Sequence, residues 1–461
     1  MKVGLCRPLY HTHLITPPLA LGYLSSSLKK AGIETIIIDG LNLRIKNSRL
    51  AARLSDCDLV GIYCMTDFFD NVIELTGMLK KRAVKVVLGG PHPTAMPYES
   101  LEKTKADGVV VGEGEETLLE IITRMQDTGI ENLKIPGFVN SAISREGFIP
   151  RKLKPDINEI AIPDWEQINP SKYRKAPHGG LIKGFPAAPV ITTRGCYCVC
   201  SFCASSGIWG NVIRFRKPRL VVDEIEYLVR EYGVREIHFE DDNLSADRKH
   251  LTLICEDIIR RELDISWCCP NGLRAETLLD DELLALMKKS GCYMLALGIE
   301  SADEGILNNV RKNTSVEVIG RAIEMIDRAG IAVQGFFIFG LPGETEETIE
   351  KTIEFALRSR LLRAQFLFLD ILPGTELWEK YGTEIKSDRK LRSFQSVKWV
   401  PPTVDEEILS SAVRRAFLKF FMRPRQLGGL IENLRLFQIR YIIQRLLDYN
   451  ILGLKRNRKN C

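Results

Sequence analysis

Arg194-Gly195-Cys196-Tyr197-Cys198-Val199-Cys200-Ser201-Phe202-Cys203 gathers four cysteines into one short polar loop. In a reducing compartment, clustered thiols point to metal or redox chemistry rather than to disulfides. Cys196, Cys200 and Cys203 make CxxxCxxC. Iron–sulfur clusters are held by thiolates, and three thiolates on a four-iron cubane leave one iron unligated by protein. The loop also contains CxC and CxxC, so zinc is the rival. Structural zinc takes four ligands, usually as two separated pairs. No second CxxC or HxxxH follows at finger spacing, and Cys268-Cys269 are adjacent. The iron–sulfur reading is the stronger one. Cys198 remains as a fourth thiol, either spectator or ligand.

Downstream of the loop, β-rich runs alternate with helical patterns. Val190–Thr192, Glu236–Phe239, Asp264–Trp267, Met294–Leu297, Val333–Phe339 and Gln365–Leu369 read as strands. Val221–Tyr232, Leu251–Arg260, Asp280–Ser290, Val316–Ala329 and Thr345–Ser359 read as helices between them. Six such units predict a partial, open βα barrel with its site on the loops after the strands. The cysteine loop follows the first strand, where a catalytic loop belongs.

Upstream, Val3–Leu5, Thr35–Ile38, Leu59–Tyr63, Val86–Leu88 and Val109–Val111 read as strands buried on both faces. Helical patterns at Leu19–Lys30, Asn71–Lys81 and Glu115–Met125 separate them, which predicts a parallel, doubly wound sheet. Ligands bind beyond the carboxyl ends of such strands. Two strands end in glycine-rich turns, Gly89-Gly90-Pro91-His92 and Gly112-Glu113-Gly114-Glu115. Neither is a dinucleotide fingerprint or a phosphate loop, so ordinary tight turns and ligand loops both fit. Pro136-Gly137, Pro163-Asp164 and Pro170-Ser171 mark a linker, with a hairpin expected around Ser144-Arg145-Glu146-Gly147.

The 461 residues, 45% hydrophobic and 27% charged, suit a globular protein of two or three domains. No apolar run approaches the ~18 residues of a membrane span. Charge and proline interrupt the N-terminus too early for a signal peptide, so a cytoplasmic protein is expected. Of twelve cysteines, Cys57, Cys64, Cys255 and Cys292 read as small core residues. The net charge is +5, but from residue 410 twelve basic residues face only Glu432 and Asp448. The tail from Asp405 reads as helical. Its arginines Arg435, Arg440 and Arg445 suit a solvated helix face or a peripheral contact with an anionic membrane surface.

CxxxCxFC after a first strand resembles the radical S-adenosylmethionine (SAM) superfamily. The glycine turns, with Pro17-Pro18-Leu19-Ala20-Leu21-Gly22-Tyr23-Leu24, resemble its branch with an N-terminal cobalamin-binding domain. The resemblance spans residues 1 to about 380 and implies an α/β chain in four parts. These are a Rossmann-like cobalamin domain (1–130), a linker (131–188), a partial (β/α)6 barrel (189–382) and a helical basic region (383–461). It implies Cys196, Cys200 and Cys203 as catalytic ligands of a [4Fe–4S] cluster. For SAM it implies Phe202 beside the adenine, Glu240 and Asp241 at the amino group, and Gly298, Glu300 and Ser301 along methionine and ribose. Arg274 would pair with the SAM carboxylate, with a surface ion pair as the alternative. Gly335–Glu344 and Pro373-Gly374-Thr375 resemble further core elements. For cobalamin it implies Pro18, Gly22, Gly89, Gly90, His92, Gly112, Glu113 and Gly114. Solvated acids, a core aromatic and structural turns are the plainer readings of these positions. Asp-x-His-x-x-Gly is absent, since none of His11, His13 and His92 follows an aspartate at that spacing.

The implied chemistry is methylation of an unactivated carbon. One SAM yields the 5′-deoxyadenosyl radical that removes hydrogen, methylcobalamin supplies the methyl, and a second SAM renews it. Cyclisation or another C–C bond formation is the alternative within the branch. A tRNA methylthiotransferase would need further cluster cysteines and a β-rich tail. A zinc-binding nucleic-acid module is the reading from another class, and nucleic acid fits poorly. Expected partners are an external electron donor of flavodoxin or ferredoxin type and a small-molecule or lipid substrate.

Overall fold

Fourteen strands among the described residues build two six-stranded sheets and a short ribbon in the computed structural model, which describes residues 1–175, 177, 182–386 and 394–424. The first sheet contains β1 (Lys2–Arg7), β2 (Glu34–Asp39), β3 (Leu59–Tyr63), β4 (Lys85–Gly89), β5 (Gly108–Val110) and β6 (Phe138–Val139). Its order is β2-β1-β3-β4-β5-β6, with the first five parallel and β6 antiparallel. β6 lies in the stretch that reads as linker. Its two residues are too few for a periodic signal. The chain switches direction between β1 and β3, the arrangement that opens a crevice at the carboxyl ends. Helices Leu19–Lys30 and Glu115–Thr128 cover one face together.

The second sheet contains β7 (Ala187–Val190), β10 (Glu236–Phe239), β11 (Ser266–Leu273), β12 (Cys292–Glu300), β13 (Ala332–Phe339) and β14 (Arg363–Phe368). All are parallel and each pairs with the next, in the order β14-β13-β12-β11-β10-β7. This is the open six-stranded barrel. Every residue of central β12 is buried, as a strand covered on both faces must be. Asp247, Asp280, Ser315 and Thr345 cap the N-termini of the helices on its outer side. β11 runs past Trp267, where the expected strand ends, through Pro270-Asn271-Gly272; a register shift between Cys269 and Leu273 absorbs them. The ribbon pairs β8 (Thr193–Arg194) with β9 (Arg214–Phe215).

Helix Glu406–Phe421 covers β14 and helix Glu346–Arg358, burying Leu409, Ala412, Ala416 and Phe420. Arg415 and Lys419 pair with Glu350, so these tail cations are held against the barrel. Arg435, Arg440 and Arg445 lie outside the described residues. No described helix is long and apolar enough to cross a membrane. Cys57, Cys64, Cys255 and Cys292 are buried. The expected hairpin at 144–147 is a turn only, closed by Gly147 N donating to Ser144 Oγ at 3.2 Å.

The segment after Pro163 wedges between the two halves. Asp164 accepts from Ser25 Oγ and Gln167 Nε2, both at 2.7 Å, and Trp165 donates to Glu224 at 2.9 Å. A Cβ on Gly22 would stand 2.7 Å from Ile168 and 2.8 Å from Pro163. Gly22 therefore serves packing against the wedge, and it does not line the cavity described below. Pro18 opens helix Leu19–Lys30 as its N-cap and does not line the cavity described below.

Candidate functional site

Asp241 sets the entrance to the cysteine loop. Its Oδ1 accepts from Thr192 N (3.0 Å), Thr192 Oγ1 (2.8 Å), Thr193 N (2.5 Å) and Thr193 Oγ1 (2.7 Å). These bonds draw the chain out of β7 into the ribbon, so β7 ends before Thr192. Gly195 follows at φ +100, and a Cβ there would collide with the Val212 carbonyl. The loop then runs through Cys203 into helix Ser205–Trp209 and returns through β9. Ser201 N donates to Val310 O, and Leu377 N to Ser201 O, both at 3.1 Å. Asp241 Oδ1 is thus a buried structural acceptor, while its Oδ2 is buried without a hydrogen-bond partner. Burial lifts its pKa to about 6 against those four donors.

The four loop thiols are half-buried. Hydrogen bonding from Cys198 holds Cys196 down to about 6 and pushes Cys198 up. Burial raises Cys200 and Cys203, the latter to about 11. Lys312 and Arg274 oppose that rise at Cys200 through their positive charge. Among the described residues, the one group of three His, Cys, Asp or Glu with ligand atoms all within 4.8 Å is Glu236, His238 and Cys268. Cys196, Cys200 and Cys203 are not such a group. Three thiols in one loop make an all-sulfur donor set, which suits an iron–sulfur cluster. The Glu236 group lies toward the amino ends of the strands. Glu236 there accepts from Lys183 N, Gly184 N, Tyr293 Oη and His238 Nε2, which satisfies it without a metal.

The other SAM candidates ring the barrel's carboxyl end unequally. Phe202 packs with Ile338, Leu341 and Val310, partly buried. Glu240 follows β10 on the lumen side by strand alternation. Glu300, at φ +63, pairs with Lys312 at 2.8 Å, both buried; Gly298 is bare because a Cβ would meet both. Arg274 does not stand as a waiting carboxylate fork. It donates to Lys312 O (2.6 Å) and Asn313 O (2.9 Å) and pairs with Glu276. Ser301 is fully buried, with its Oγ 3.3 Å from Thr352 Oγ1.

At the carboxyl ends of β3, β4 and β5 lies an apolar cavity of about 270 Å³. Gly89, Gly90, Gly112, Glu113 and Gly114 line it, and nothing stands within 4 Å of where a Cβ on Gly89 or Gly112 would be. These two glycines leave a cradle that side chains would fill, as a bulky apolar cofactor requires. His92 does not line it. The ring is buried against Phe69 at 4.2 Å, Nδ1 lies 3.1 Å from Thr66 Oγ1, and burial lowers its pKa to about 4. The barrel supplies the opposing wall through Ile191, Arg194, Ile208 and Trp209. Glu113 is committed to Arg194 at 2.8 Å and Arg214 at 2.9 Å. Sequence reading passed over Arg194, Arg214, Lys312 and Trp209. Pairs separated by 81 or 101 residues leave no local spacing to detect.

Family models match both halves: the B12 binding domain over residues 10–122 and the radical SAM superfamily over residues 190–356. An uncharacterized methyltransferase of Pyrococcus horikoshii is 32% identical, with 89% of each chain covered. The anaerobic magnesium-protoporphyrin IX monomethyl ester cyclase of Rubrivivax gelatinosus is 28% identical over 92% of this chain and 78% of its own. Among solved structures, the radical SAM methyltransferase TsrM of Kitasatospora setae, with cobalamin and a [4Fe–4S] cluster bound, superposes with a TM-score of 0.69. It is 20% identical, with 92% of this chain and 82% of that one covered.

Proposed function

Because this chain belongs to the cobalamin-binding radical SAM methyltransferase family, we propose that it methylates an unactivated carbon at the junction of its two halves. The observation that carries this reading is that Arg194 and Trp209, which flank the cysteine loop, also wall the glycine-lined cavity. Cofactor chemistry here comprises one-electron cleavage of a sulfonium, hydrogen abstraction from carbon and methyl transfer from cobalt. Cys196, Cys200 and Cys203 would hold the cluster, with Lys312 and Arg274 easing the burial of its negative charge. Phe202, Glu240 and Glu300 would receive SAM. Gly89, Gly90, Gly112 and Gly114 would admit cobalamin. The protein's part is to hold the reactants in contact and keep water out.

The test is product analysis on anaerobically reconstituted protein with reductant and SAM. Methylation requires 5′-deoxyadenosine and S-adenosylhomocysteine together. Deoxyadenosine alone would favour cyclisation, the second reading, which the cyclase relative supports. An external electron donor is required in either case. The basic residues of 425–461 support an anionic or membrane-associated substrate. Removing 425–461 should abolish binding to anionic vesicles, and unchanged binding would reject that preference.

A further inference from the structure

Four buried charges join the cavity turn to the neck of the cysteine loop. Arg194 donates through Nη1 to Glu113 Oε1 (2.8 Å) and through Nη2 to Glu115 Oε1 (2.7 Å). Arg214 donates to both oxygens of Glu113 at 2.9 Å. The side chains are 6%, 11%, 13% and 7% exposed for Arg194, Glu113, Glu115 and Arg214, so the group is desolvated and, by count, neutral. The Arg194 guanidinium lies 5.1 Å from the Tyr23 ring centre and 5.2 Å from that of Trp209. Tyr23 and both glutamates belong to the N-terminal half. Trp209 ends the helix after Cys203, while Arg194 precedes Cys196 by two residues.

One guanidinium therefore touches both ends of the cysteine loop and both carboxylates of the cavity turn. A planar fork can hold two carboxylates and lie between two rings at once, whereas an ammonium is a single point of charge. Structural support of the barrel neck alone would need no partner in the other half, since Asp241 and the backbone pairing of β8 with β9 already close the ribbon. We propose that Arg194 is a positioning residue that registers the Gly112–Glu115 turn against the cysteine loop. That this register aligns two cofactors rests on the cobalamin reading of the cavity.

The experiment is hydrogen–deuterium exchange on the full chain with its cluster reconstituted, read at residues 111–118 and 204–211, beside a hydroxocobalamin titration. Arg194→Lys keeps the charge and loses the fork. Glu115→Gln cuts the same link from the other half and keeps the proposal testable if the first variant fails to fold. Each single variant is expected to speed exchange about tenfold in both segments, the equivalent of about 1.4 kcal/mol. The double variant should do no more than either single one, because both act on the Arg194–Glu115 contact while Arg214 keeps Glu113. Faster exchange confined to the segment carrying the substitution, or additive effects, would overturn the proposal. Should the wild type take up no hydroxocobalamin while the two segments still respond together, the cofactor reading fails and the registration stands.

Discussion

Four donors from Thr192 and Thr193 converge on one oxygen of Asp241, and no other described group replaces that acceptor. Asp241→Ala should cost at least about 4 kcal/mol, since each of four buried donors left unsatisfied costs about 1–3 kcal/mol. Iron content after reconstitution should fall with it, while Asp241→Asn should keep most of both. Glu344 makes a pH-dependent prediction. Burial lifts its carboxyl to about 8, and the Gly340 amide donates to it. The folded state then keeps a proton that the unfolded chain releases near its ordinary value, so stability falls as pH rises from about 5 to 8. Glu344→Gln should flatten that decline in thermal melts, and an unchanged slope would assign it to other groups. At this scale the cysteines were legible because their chemistry is written in spacing. Asp241, Arg274 and Ser301 were recognisable as positions but not as roles. Only the fold shows that they bond to Thr192, the 312–313 carbonyls and Thr352.

Among the elements, the last described helix bears the most on the expected tail. Glu406–Phe421 supplies Leu409 and Phe420 to the barrel core, where Phe420 meets Phe366 edge-on at 6.0 Å. Phe420→Ala should destabilise by about 3–5 kcal/mol, seen as a lower denaturant midpoint. An unchanged midpoint would contradict this account. Strands and helices of both sheets were legible because buried parallel strands are continuous apolar runs and their helices carry Asp, Ser or Thr caps. β6, β8 and β9, of two residues each, were not. Their existence depends on partners far along the chain.

For the whole molecule, the wedge after Pro163 predicts that the halves melt together. Gly22→Val would drive a side chain into Ile168 and Pro163. It should lower the melting temperature and split one transition into two; a single unshifted transition would count against the wedge. The two-domain plan was legible from alternation of strand and helix, whereas the contact between halves was not, because it is built from Trp165, Asp164 and Arg194 acting at long range. The central claim is that three sulfurs carry a cubane with one corner left for SAM. Electron paramagnetic resonance of reduced, anaerobically purified protein tests it most directly. A cubane signal that changes on adding SAM and vanishes when Cys196, Cys200 and Cys203 become alanine is the predicted result. A missing signal, indifference to SAM, or a cubane surviving the triple substitution would contradict it.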